Sequence, residues 1–145
     1  MKDFWLPALV ILLGGVLLAS PFIFQKEISY PELMEADVDG GRTPAETLEL
    51  FIKAINKGEV ERAAKYFSLD ENGQRGRWLK ALEEAKAAGR LAALVSEIEQ
   101  AQPNPRDSVH PGDFKYVIFD EAGSIKTTIN LELNSYSGVW KIESL

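Results

Sequence analysis

A chain of 145 residues, 46% of them hydrophobic, has room for one folded domain and an appendage. Its formal charge of -6 argues against nucleic acid as a partner, because phosphate binding needs a concentrated basic face. With no cysteine and one histidine, the chain excludes a disulfide framework, a thiol nucleophile, a Cys-based zinc site and a multi-histidine metal site, and no metal or cofactor is expected.

The first element is apolar. Residues Phe4 to Phe24, FWLPALVILLGGVLLASPFIF, carry no charge, and about twenty such residues suffice to cross a hydrocarbon core roughly 30 Å thick. Most are Leu, Ile, Val or Phe, each worth about -0.3 to -0.6 kcal/mol at a helix centre. Pro7 and Pro21 sit near the ends, where a missing backbone donor costs least. Cleavage as a signal peptide after Ala19 or Ser20 would place Leu17 or Leu18 at the -3 position, where a small residue is needed, so an uncleaved anchor is expected. Lys2 and the amino terminus give a slight positive excess before the span, which favours an N-terminus in the cytoplasm and the remaining chain outside it. The Gly15-x-x-x-Ala19 spacing offers a face on which two anchors pack closely, a route to a homodimer.

The expected organisation is therefore an anchor at 1–25, a linker at 26–42 and an α+β domain at 43–145. The linker, ending in Gly40-Gly41, has the composition of a tether with one helical turn after Pro31. Thr43, Pro44 and Glu46 form a capping-box start. Leu48, Phe51, Ile52 and Ile55 then fall on one helical face, and Gly58 ends it. Val60, Ala63, Ala64 and Phe67 repeat the spacing in a second helix. A third helical stretch carries Trp78, Leu82 and Ala85. Beyond Gly89, which either breaks the segment or is tolerated in it, a fourth carries Leu91, Leu94, Val95 and Ile98.

After the proline-rich AQPNPRDSVHPGD the period changes to two. Phe114, Tyr116 and Ile118 alternate with Lys115, Val117 and Phe119. Ile125, Thr127, Ile129, Leu131 and Leu133 share the inner face of the next strand, and Trp140 and Ile142 that of the last. Helices followed by an antiparallel meander predict helices packed on one face of a curved antiparallel sheet.

Two stretches resemble a known family. TPAETLELFIKAINKGEVERAAKYFS is similar to the opening of nuclear transport factor 2-like domains, including bacterial extracytoplasmic ones of unknown function, and GVWKIESL to their closing strand. The resemblance covers roughly residues 43–145 and implies a cone whose sheet wraps around a long helix and leaves a pocket at the wide end. Relatives use that pocket for isomerisation, dehydration or cyclisation, or use the sheet to bind proteins, and some carry an N-terminal anchor and no chemistry within envelope or secretion assemblies.

An enzyme of this kind needs an acid or base within the pocket. The catalytic candidates are Tyr66 and Asp70 at the end of the second helix, His110 in a loop, and Tyr116 on a strand, but no base, orienter and oxyanion donor converge among them. Trp78 with Arg75, Arg77 and Lys80 offers a contact for anionic headgroups or an acidic partner, although a solvated first turn around a core tryptophan is its ordinary role. Asn130, with Thr128 and Glu132, lies on the polar strand face, which either lines a pocket or faces solvent. Gly73-x-x-Gly76 is too short for a phosphate loop. The expectation is a membrane-anchored binding or scaffold domain outside the cytoplasm for a protein, peptide or small-molecule ligand, with a small enzyme or a structural envelope subunit as the alternatives.

Overall fold

A computed structural model describes residues 27–104 and 110–145. The expected anchor at 1–25, with its Gly15-x-x-x-Ala19 face, lies outside the described residues. Among the described residues no helix is long and apolar enough to cross a membrane.

Among the described residues five helices and four strands follow in order: α1 (Tyr30–Ala36), α2 (Pro44–Asn56), α3 (Val60–Ala64), α4 (Gly76–Ala87), α5 (Leu91–Ile98), β1 (Gln102–Pro103), β2 (Asp113–Phe119), β3 (Ile125–Asn134) and β4 (Val139–Ser144). The strands form one antiparallel meander in chain order. The fold is thus α+β, with a helical layer on one face of the sheet: α2 packs on β4, α3 and α5 pack on α2, and α4 packs on α3 and α5.

Local chemistry accounts for the helix ends. The Thr43 hydroxyl accepts from the Glu46 amide at 3.1 Å, and Pro44 takes the first helical position. The Glu46 carboxylate turns one residue further back than a standard capping box requires, accepting from the Arg42 amide at 2.6 Å. At the other end Gly58 adopts φ +71°, its amide donating to Ile55 O and the Glu59 amide to Ala54 O. That Schellman closure turns the chain directly into α3. Gly89, at φ +68°, makes the same closure with Lys86 O and Ala85 O, so the helical segment breaks there into α4 and α5.

The core is where the helical stripes meet the sheet. Leu48, Phe51 and Ile55 of α2 and Val60, Ala63 and Ala64 of α3 pack with Val95 and Ile98 of α5 and with Tyr116, Ile118, Ile129, Leu131 and Ile142. Ile52 is only half-buried. Phe67 links the layers, meeting Phe51 edge-on at 5.5 Å and stacking on Trp78 at 4.3 Å.

The sheet departs from the sequence reading at three points. Ile125 and Leu133 lie at the ends of the apolar face of β3 and are exposed, because the helical layer covers only its middle. The proline-rich stretch after α5 contributes the short strand β1, pairing Gln102 with Val117 and Pro103 with Tyr116. Third, Lys141 lies on the sheet face opposite Ile142 and is nevertheless buried, at 1% exposure.

The outer edge of β4 is closed by the chain itself. The Trp140 amide donates to Gly41 O at 2.9 Å, the Ile142 amide to Tyr66 O at 2.8 Å, and the Ser68 amide to Ile142 O at 2.9 Å. An edge strand left bare would be a template for association. Residues 37–41, expected within a linker, are consequently part of the folded unit. Gly40 and Gly41 permit that approach, since a Cβ on Gly40 would lie 2.5 Å from Trp140 O, and one on Gly41 2.5 Å from the Thr47 amide.

Candidate functional site

Two features stand out from the packed core. One is an apolar groove between α4 and α5. The other is a buried polar cluster where residues 37–39 meet β4.

The groove encloses about 360 Å³ and is lined chiefly by Phe67, Trp78, Leu82, Leu94 and Leu145, with Ala81, Ala85 and Ala93 between them and Arg90 and Glu97 as its charged members. Its shape follows from sequence. The alanines at 81, 85 and 93 keep the facing surfaces of the two helices low, while the Gly89 turn holds the helices side by side. Trp78 forms one wall, stacked on Phe67, with the Arg77 guanidinium 4.7 Å from its ring centroid. Glu97 is engaged by Lys126 at 2.7 Å. A volume of this size, mostly apolar with few polar groups, is the usual form of a small-molecule site.

In the polar cluster, Asp37 accepts from two cations. Arg75 Nη2 donates to Asp37 Oδ2 and Arg75 Nε to Phe67 O. Lys141 Nζ donates to Asp37 Oδ1 at 2.7 Å, to Asp39 O at 2.6 Å and to Lys65 O at 2.6 Å, which uses all three ammonium protons. The amide of the neighbouring Asn134 donates to Met34 O at 2.8 Å. Burial pushes the Lys141 ammonium down to about 8, against the opposing pull of the Asp37 hydrogen bond and charge.

The structure separates most of the residues singled out by sequence. Tyr66 is buried, and its hydroxyl accepts from Arg62 Nε at 3.4 Å. Asp70 shapes a turn, its Oδ1 accepting from the amides of Asn72 and Gln74, both at 2.9 Å. His110 is exposed in a loop, where its carbonyl accepts from the Asp113 amide. Tyr116 packs on Phe114 from the inner face of β2, and burial followed by the charge of Glu49 raises its phenol pKa. These four do not converge on one cavity.

The binding candidates divide. Trp78 belongs to the groove and Arg77 flanks it. Arg75, a candidate contact for an external anion, turns inward to Asp37. Asn130 Nδ2 donates to Ser144 Oγ at 2.7 Å, tying β3 to β4. Asp37 and Lys141 are the functional-looking residues the sequence reading missed. Their one visible signal is a lysine inside an otherwise apolar strand end, VWKI, which ordinarily means a solvated position.

Comparison with family models, with curated proteins and with solved structures returned no match.

Proposed function

We propose that the chain is a membrane-anchored, non-catalytic binding domain of the nuclear transport factor 2-like kind, held outside the cytoplasm by residues 4–24. Its groove between α4 and α5 takes a small apolar molecule bearing an anionic group. The observation that carries this reading is the lining of that groove: Phe67, Trp78, Leu82, Leu94 and Leu145 supply the apolar surface, Arg90 supplies a cation, and Glu97 is occupied by Lys126. A general acid or base needs reach to a reacting atom, and Tyr66, Asp70, His110 and Tyr116 all lie outside this lining. The capping and stripe pattern of residues 43–68, together with the closing VWKIES strand, supports the family reading.

The test uses 1-anilinonaphthalene-8-sulfonate, an aromatic probe with one anionic group. The full chain in neutral detergent micelles should bind it saturably with one site per chain, at an undiminished near-ultraviolet circular dichroism signal. Ala85→Trp, which fills the groove from α4, should abolish that saturable component. Binding unaffected by Ala85→Trp would reject the groove as the site, and turnover of any substrate that a groove substitution abolishes would replace the binding reading with an enzymatic one. Topology has a separate test: protease added to intact cells should remove the domain, and full protection would place it in the cytoplasm.

A further inference from the structure

We propose that Arg75, Asn134 and Lys141 form a recognition site for a peptide segment bearing an aspartate just beyond the end of a helix, and that residues 34–39 of this chain occupy it as a detachable strap. The donors on the domain side form a set that reads one stretch of chain. Asn134 Nδ2 takes Met34 O, Arg75 and Lys141 together take the Asp37 carboxylate, and Lys141 also takes Asp39 O. Two cations converging on one carboxylate whose side chain is only 5% exposed is how proteins select a carboxylate ligand.

The strap itself contributes little else. Helix α1 buries no residue, and Ile28, Tyr30 and Val38 remain exposed. Leu33 and Met34 are half-buried, and Leu33 lies close on Gly73, where a Cβ would be 2.6 Å from Leu33 Cδ1. Attachment by hydrogen bonds and charge can be exchanged for water, or for an equivalent acidic segment, at a smaller net cost than buried apolar area. The strap ends at Gly40 and Gly41, where Gly41 O and N bond the Trp140 amide and the Thr47 hydroxyl and fix that end to the domain. Residues 34–39 are therefore tied covalently to the domain on one side only, through Gly40 and Gly41. A further charged contact is the exposed pair of Lys65 with Asp39, 3.9 Å apart, on the rim.

The experiment uses a synthetic peptide of residues 29–41 carrying an N-terminal fluorescein, titrated by anisotropy against the full chain in micelles. Asp37→Asn weakens the internal strap and should let the peptide bind at least tenfold more tightly than it binds the unaltered chain. Adding Lys141→Met to Asp37→Asn should remove at least tenfold of that gain, as should placing Asn at position 37 of the peptide. No gain with Asp37→Asn, or a gain insensitive to Lys141, overturns the proposal. A second measurement does not depend on any variant folding. In the unaltered chain, hydrogen exchange of the Leu33, Asp37 and Val38 amides should be at least a hundredfold faster than that of the Phe51 and Ile129 amides. Exchange of strap and core at one common rate would show the strap to be an inseparable part of the fold.

Discussion

Lys141 makes the stability of this domain depend on alkaline pH with an unusual sign. In the unfolded chain its ammonium titrates at the ordinary 10.5, and in the folded chain burial lowers this to about 8. Between those values the unfolded state holds one more proton than the folded state, so stability rises with pH through the window. Below pH 8 the folded state carries the full cost of a buried charge, which at about 1.4 kcal/mol per pH unit comes to about 3 kcal/mol. From pH 7.5 to 9.5 the unfolding free energy should therefore climb by about 2 kcal/mol. Urea unfolding of the full chain in micelles, followed by near-ultraviolet circular dichroism at pH 7.5, 8.5 and 9.5, measures this directly. Lys141→Met serves as the control, since it removes the titrating group and should abolish the climb. A flat or falling profile in the unaltered chain, or an equal climb in Lys141→Met, would refute the reasoning. The first result would mean that the bonds to Asp37, Asp39 and Lys65 outweigh desolvation.

Above pH 10 the trend should reverse, because Tyr116 is harder to ionise when folded and its stabilising contribution is lost as the unfolded phenol ionises; Tyr116→Phe should flatten the fall in the same urea series. Phe67→Ala removes the ring that joins Phe51 to Trp78 and should cost about 3 to 5 kcal/mol by urea titration, the usual cost of deleting a fully buried aromatic. Gly40→Ala places a methyl against the Trp140 carbonyl, so it should accelerate hydrogen exchange across β4 as well as lower the unfolding midpoint. His110→Ala, at an exposed loop position, should change stability by no more than about 0.5 kcal/mol in that titration.

What the sequence disclosed was governed by distance along the chain. The paired helices of residues 44–64 were readable because Thr43, Pro44, Gly58 and the apolar spacing of 3.6 all act within a turn or two. The meander was readable because alternation and turn residues are equally local, as at Asp120, whose carboxylate accepts from the amides of Ala122 and Ser124. By contrast, Asp37 and Lys141 lie 104 positions apart, and nothing in either neighbourhood announces the other. A lysine alternating with Trp140 and Ile142 reads as a solvated residue until residues 37–41 fold back over it. Strand β1 was hidden for a different reason: two residues, one of them a proline, carry no periodicity, and its pairing with β2 is set by tertiary packing. The groove was half visible. Trp78, Leu82, Ala85 and Leu94 were readable as helical stripes, but only the positions of α4 and α5 show that these stripes leave a space between them.

The proposed function rests most on that space being a binding site. Methyl-resolved NMR of the full chain in micelles, titrated with 1-anilinonaphthalene-8-sulfonate, tests it most directly. The methyl signals of Leu82, Leu94 and Leu145 should shift together along one saturable curve, while those of Ile129 and Leu131 on the sheet stay in place. Shifts centred on exposed Ile125 and Leu133, or no saturable shift in the three groove leucines, would contradict it.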